Sequence, residues 1–499
     1  MNRRILARLA RASASVPALL FSVATACGPA PTVRTPDLPR DPPQPPSIAP
    51  AASGASASTA AADKEALEHA SRVAAALARV PVIAQTVAEI RQLALKRPIP
   101  AAVQSQDDFR AFLDKEVAKE MPPEKSAASV RALVRLGFLK QSIDLNKTVE
   151  DAMLSQAGAY YDPQTKKFYL VIVPEDESML DVMSAHELTH ALDDEYFDLD
   201  AYTDDPKHLM SNDVQQARRM VAEGEATLVM LAYQAKVAAQ QDIFDPRNRA
   251  VEKTMVSMFA QLDSEALAKA ATDNPGMVSQ MGPSMKASID AMTTIPPFIL
   301  DPLFGAYTKG CAAVAAVRDS GGWDAVAKLY ADPPESTEQL LHPLEKLVQK
   351  RDHPVILTLP PAPKLLAGLT PLDTDVIGEM TMAVYFKNWG SSHPTREVLG
   401  WGGDRYAAYD VGGKVVAVWF TTWDTVEDAT RFAKAYDATL GVRFPGEKHA
   451  SAGSVVHGDG TVTTFTRTGK DVVIVDGARE ADAHGLLNWL AKSTRTQAK

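Results

Sequence analysis

"MSAHELTHALDDEYF", residues 183–197, is the stretch on which the reading of this chain turns. It follows the acids of "EDES", which suit a helix N-terminus, and runs on without Gly or Pro, so it reads as a helix. His186 and His190 stand four apart on that helix, so both imidazoles project from one face and can grip a single cation. Glu187, one step round, can reach a water bound to that cation. A catalytic zinc needs three protein ligands and an open fourth position, and this segment supplies two.

Working outward, "AGAYYDPQTKKFYLVIVP" (157–174) carries the turn signal "YDPQT" and then "KFYLVIV", whose aromatic and branched residues favour a strand. Downstream, "ARRMVAEGEATLVMLAYQAK" (217–236) reads as a second helix with Met220, Val221, Leu228, Val229 and Leu231 as apolar positions. An acid in mid-run there is costly to bury unpaired, and a metal would satisfy it, which makes Glu223 the candidate third ligand. The rival, Glu225, faces about 200° away by helix geometry. Asp194, one turn beyond His190, continues the series His186, His190, Asp194 along one face and is the candidate for orienting an imidazole, with a solvated helix-end acid as the alternative.

Several motifs in one order carry a resemblance. "AHELTHA" and the following "EGEA" look like the active site of gluzincins, the thermolysin-like and aminopeptidase-like zinc metallopeptidases, in which a Glu often followed by Gly is the third ligand. "AYYDPQTKKFYLV", "HELTHALDDEYFDL", "VAEGEATLVM", "GGWDAVAKLYADPPESTEQLLHP" and "GWGGDRYAAYD" together resemble a group of exported bacterial gluzincin-like proteins, from about residue 130 to the C-terminus. The resemblance implies one Zn2+ on His186, His190 and Glu223, with Glu187 as general base. It departs from the thermolysin-like pattern at Thr227, where those enzymes carry an Asp four residues after the ligand glutamate. Such a site hydrolyses amides, with a peptide or protein as substrate. The oxyanion then needs a donor besides zinc, for which "STEQLLHP" offers His342, with Tyr160, Tyr161 and Tyr169 as alternatives. The "KFYLVIV" strand offers an edge for strand addition by an extended peptide.

The remaining chain sets the context. With 499 residues, 46% of them hydrophobic, a full core is possible, and a net charge of −10 argues against nucleic acid as a partner. The Arg-rich start, the apolar "VPALLFSVATA" and Cys27 behind small residues read as a secretory signal; it resembles a bacterial lipobox, with Ala24 where such boxes usually carry Leu. That resemblance implies acylation of Cys27, hence an exported protein of the cell envelope whose membrane contact is this lipid anchor; without acylation the chain would be secreted. Residues 28–62 are Pro-, Ala- and Ser-rich and read as an extended tether. Cys311, in "YTKGCAAVAAV", reads as a buried, inert thiol.

Apolar positions at helical spacing in "DFRAFLDKEVAKEM" and "AASVRALVRLGFL" predict packing helices. "TTIPPFILDPLFGAYTKGCAAVAAV" and "GGWDAVAKLY" predict two more, and the methionines between 276 and 292 read as gap fillers. The expected fold class is α+β: a mostly helical, zincin-like catalytic domain with a small sheet (63–350), a proline-rich crossing (351–374), and a smaller α+β C-terminal domain (375–499). In that last part "RYAAYD", "KVVAVWFTTW", "TVTTFTR" and "DVVIVDG" predict strands, and "TVEDATRFAKAYDATL" and "EADAHGLLNWLAKS" predict helices. The function expected is peptide-bond hydrolysis by a membrane-tethered zinc metallopeptidase, with Glu187 as its base. The alternative is a noncatalytic zinc-containing lipoprotein that uses the same scaffold to capture a partner.

Overall fold

The structure, a computed structural model, describes residues 54–154, 158–171, 177–203, 210–273, 292, 294–451 and 453–497. The signal segment with Cys27 and the tether as far as residue 53 lie outside the described residues, as do Met277, Met281 and Met285. Met292 is buried in the core, as a gap filler would be.

The first half is mostly helical. It runs α1 (Gly54–Arg91), β1 (Ala101–Val103), α2 (Gln106–Glu120), α3 (Pro123–Leu136), α4 (Leu145–Leu154), β2 (Ala159–Asp162), β3 (Lys167–Leu170), α5 (Glu177–Phe197), α6 (Leu199–Thr203), α7 (Asn212–Ala239), α8 (Arg249–Ala260), α9 (Ser264–Asp273), α10 (Pro297–Ala331) and α11 (Thr337–Leu341). The second half is α+β: β4 (Val355–Thr358), β5 (Asp373–Asp375), α12 (Gly378–Asn388), α13 (Pro394–Glu397), β6 (Trp401–Val411), β7 (Lys414–Trp423), α14 (Val426–Arg443), β8 (Lys448–Ser451), β9 (Ser454–Val456), β10 (Thr461–Thr468), β11 (Asp471–Arg479), α15 (Glu480–Leu490) and β12 (Thr494–Gln497).

Local chemistry explains the boundaries. The Ser105 side chain accepts the Asp108 N–H at 3.0 Å and so caps α2, while α3 ends at Gly137, whose φ of 84° is the left-handed stop that favours glycine. α10 bends at Gly321 and Gly322, dividing it into the two helices that the sequence predicts. α1 reaches back to Gly54, into the stretch expected to be an extended tether. Its Ala-rich sequence has high helix propensity, and composition alone did not separate it from the Pro-rich run before it. By length and composition Ala70–Arg91 could cross a membrane, yet Ala76, Val80, Ile83, Ala84, Val87 and Ala88 form a stripe buried in the protein core.

The small sheet has the order β1-β3-β2, with β3 parallel to β1 and antiparallel to β2. The large sheet is antiparallel throughout, in the order β5-β6-β7-β11-β10-β9-β8. Its β6–β7 hairpin closes on Gly412 and Gly413, both at positive φ, as a tight two-residue turn requires. Alternate residues of the central strands enter different cores. Tyr406, Ala408, Ala417, Trp419, Val472 and Ile474 join the core of the helical half, whereas Tyr409, Val416, Val418, Phe420, Val473 and Val475 pack under α15. Burial on both faces is why "VVAVWF" and "VVIV" lack a polar alternation. The crossing at 351–374 is more ordered than its prolines imply, because β4 pairs antiparallel with the terminal strand β12.

Candidate metal centre

α7 is buried along almost its whole length between α5 and α10. Its contact with α10 is made backbone to backbone. A Cβ on Gly224 would lie 2.3 Å from the Gly310 carbonyl carbon, and one on Gly310 would lie 2.3 Å from the Met220 oxygen. The glycine after Glu223 therefore has a physical reason: it lets α7 press against α10 while Glu223 faces α5. Gly224→Ala is expected to cost about 3 kcal/mol, the upper end for overpacking, because the obstacle is main chain. A drop in the denaturation midpoint would register it, and unchanged stability would refute the crossing.

Between α5 and α7 four side chains converge, all buried. Glu223 Oε2 lies 3.1 Å from His186 Nε2 and 3.2 Å from His190 Nε2, and the two Nε2 atoms lie 3.2 Å apart. His186, Glu187 and His190 form a buried group that could hold a metal ion. Glu223 completes a triangle of donors whose edges suit zinc, since ligand atoms at ordinary zinc distances and tetrahedral angles stand about 3.3 Å apart. Glu187 is held to one side: its Oε2 accepts the backbone N–H of Tyr161 at 2.7 Å.

The electrostatics follow from burial and mutual contact. Desolvation pushes His186 down to about 4. Burial alone would lower His190 too, but the Glu223 carboxylate outweighs it and lifts His190 to about 9. Burial opposes ionisation of Glu223, yet the paired imidazoles hold it at about 2. Desolvation, with the Glu223 charge nearby, pushes Glu187 up to about 8.

A family model described as a domain of unknown function (DUF8575) matches residues 367–487. The match spans the large sheet and leaves His186, His190 and Glu223 outside it. No curated protein and no solved structure matches the chain.

The other expected site residues lie elsewhere. Among the described residues Asp194 makes no hydrogen bond to a histidine: its carboxylate accepts the Tyr161 hydroxyl at 2.7 Å, Lys166 Nζ at 2.6 Å and the Leu199 N–H at 3.0 Å, which ties the β2–β3 turn to the start of α6. One helical turn set the expectation, but the first residue of α6 and the turn lysine are nearer. His342 follows α11 as its C-cap, with Nε2 2.9 Å from Glu379 Oε1. That hydrogen bond raises its pKa, and among the described residues no hydrogen bond or ion pair links it to the His–Glu–His group. The Tyr160 hydroxyl donates to Gln104, and the Tyr169 ring stacks on Tyr160. β3 is the central strand of its sheet, bonded to β1 on one side and β2 on the other, so it is not an open edge for strand addition. Glu225 faces away as expected: Arg91 and the Tyr330 hydroxyl bind it. Cys311 is buried, and burial pushes its thiol far up.

Three contributors escaped the sequence reading. Tyr307 on α10 sets its ring 5.7 Å from that of His186, and the Tyr161 backbone N–H holds Glu187. Arg91, 1% exposed, lies behind the site. Its spacing from Ala84, Val87 and Ala88 puts an arginine on an apolar stripe, a signal of a buried ion pair that could have been read.

Proposed function

We propose that the protein is a zinc-dependent peptidase of the bacterial cell envelope, held there by a lipid on Cys27. The observation that carries the reading is the approach of one Glu223 oxygen to both histidine Nε2 atoms from a separate helix, with Glu187 beside them. Two imidazoles and a carboxylate are the donor set of catalytic zinc sites that keep an open position. Zinc held by His186, His190 and Glu223 would supply Lewis acidity toward a substrate carbonyl. Glu187 takes the proton of the attacking water and returns it to the leaving amine.

One observation favours a noncatalytic zinc-binding lipoprotein instead. Nδ1 of His186 and the Thr227 hydroxyl are both buried without a hydrogen-bond partner among the described residues, so the usual orienting contact to a ligand imidazole is missing. The test is elemental analysis combined with a peptide library. One zinc per chain, with cleavage abolished by chelator and restored by zinc, is the expected result. Zinc without cleavage selects the binding reading, and neither zinc nor cleavage removes both.

A further inference from the structure

A cleft that shares no lining residue with the histidine group lies where α3 meets α14 and the large sheet. It encloses about 480 Å3, and its lining includes Arg131, Arg135, Lys140, Lys414 and Arg443. On a chain of net charge −10 this is a local reversal of sign. Three carboxylates answer these five cations. Arg131 Nη2 lies 2.6 Å from Asp410, and Lys414 Nζ lies 3.0 Å from Asp459. Arg135 and Arg443 share Asp476, at 2.6 and 2.9 Å. Lys140 has no carboxylate within ion-pair distance among the described residues and stands 5.6 Å from the Trp389 ring centroid. Two positive charges are left unmatched.

One member of the arginine pair is short of acceptors. The Arg443 side chain is 4% exposed; it binds Asp476, donates from Nη2 to the Arg135 carbonyl and reaches the Tyr385 and Tyr436 hydroxyls, whereas Nη2 of Arg135 is buried with no hydrogen-bond partner among the described residues. The backbone makes room for both guanidinium groups. A Cβ on Gly137 would sit 2.7 Å from Arg443 Nε, and one on Gly477 would sit 2.5 Å from Arg135 Nε; both glycines have positive φ. Trp389, Leu139 and Phe444 supply apolar wall beside the charges.

We propose that this cleft binds a phosphate monoester with an apolar body. Such a group carries about −1.5 to −2 charges at neutral pH, matching the unmatched pair, and its oxygens suit guanidinium forks. The cleft lies within the size range of small-molecule sites. This inference does not depend on the metal centre.

Calorimetric titration of the full chain with phenyl phosphate, benzoate and inorganic phosphate tests it. One phenyl phosphate should bind per chain, about tenfold tighter than either other anion, because only it offers both the charge and the ring. Lys140→Glu, on an exposed side chain without a carboxylate partner, should weaken binding about tenfold and leave the denaturation midpoint unchanged. Arg131→Glu is the second probe and should weaken it likewise. The proposal is overturned by equal binding of the three anions, by affinity that both variants retain, or by binding that disappears on chelation, which would put the phosphate at the metal.

Discussion

Glu187→Gln is expected to keep one zinc per chain and to lower peptide cleavage at least about 100-fold, the range lost with a general acid–base group. The substitution preserves shape. The Gln carbonyl oxygen can still accept the Tyr161 N–H that Glu187 accepts at 2.7 Å, so β2 and α5 remain tethered. What disappears is a group that can hold a proton. Glu187 is buried, and desolvation with the Glu223 charge pushes its carboxyl up to about 8. Elemental analysis and library turnover on the same preparation separate the two effects. Turnover at the unaltered rate with zinc in place would mean that another group moves the proton, and the proposed mechanism would fall.

The legibility of this site has a physical basis. Two histidines four apart share a helical face whatever the fold, so His186 and His190 needed no tertiary information. Glu223 was legible because an acid in an apolar helix must find a partner, and the 200° offset separated it from Glu225. The large sheet was legible for a similar reason: "KVVAVWFTTW" and "DVVIVDG" have the branched and aromatic content that strands require, whichever strand lies next to them. Asp194 and His342 failed where sequence carries least information. A residue near a helix end has several possible partners, and the positions of Lys166, Leu199 and Glu379 are tertiary facts. The same holds for β3, since a strand of four residues does not reveal whether it lies at the centre or the edge of its sheet.

Arg91 links these two lessons, because it was readable in principle and its removal is expected to have the largest effect on stability. Its guanidinium lies against Glu225 and 3.8 Å from Asp193, all three side chains at most 2% exposed, and over the Trp323 ring at 4.6 Å. Burial and the neighbouring Glu225 hold the Asp193 proton on well above the usual carboxylate range, so one cation balances one anion. Arg91→Met keeps much of the stem packing and strands Glu225 in the core with neutral partners alone, the Tyr330 hydroxyl 2.8 Å away and the protonated Asp193 carboxyl. Breaking a buried pair in this way costs about 3–5 kcal/mol. Denaturant titrations of both proteins should find this deficit, and Arg91→Lys, which restores a cation, should recover part of it. An equal deficit in Arg91→Lys would mean that Arg91 contributes by packing on Trp323 rather than by neutralising the acid behind the metal helices.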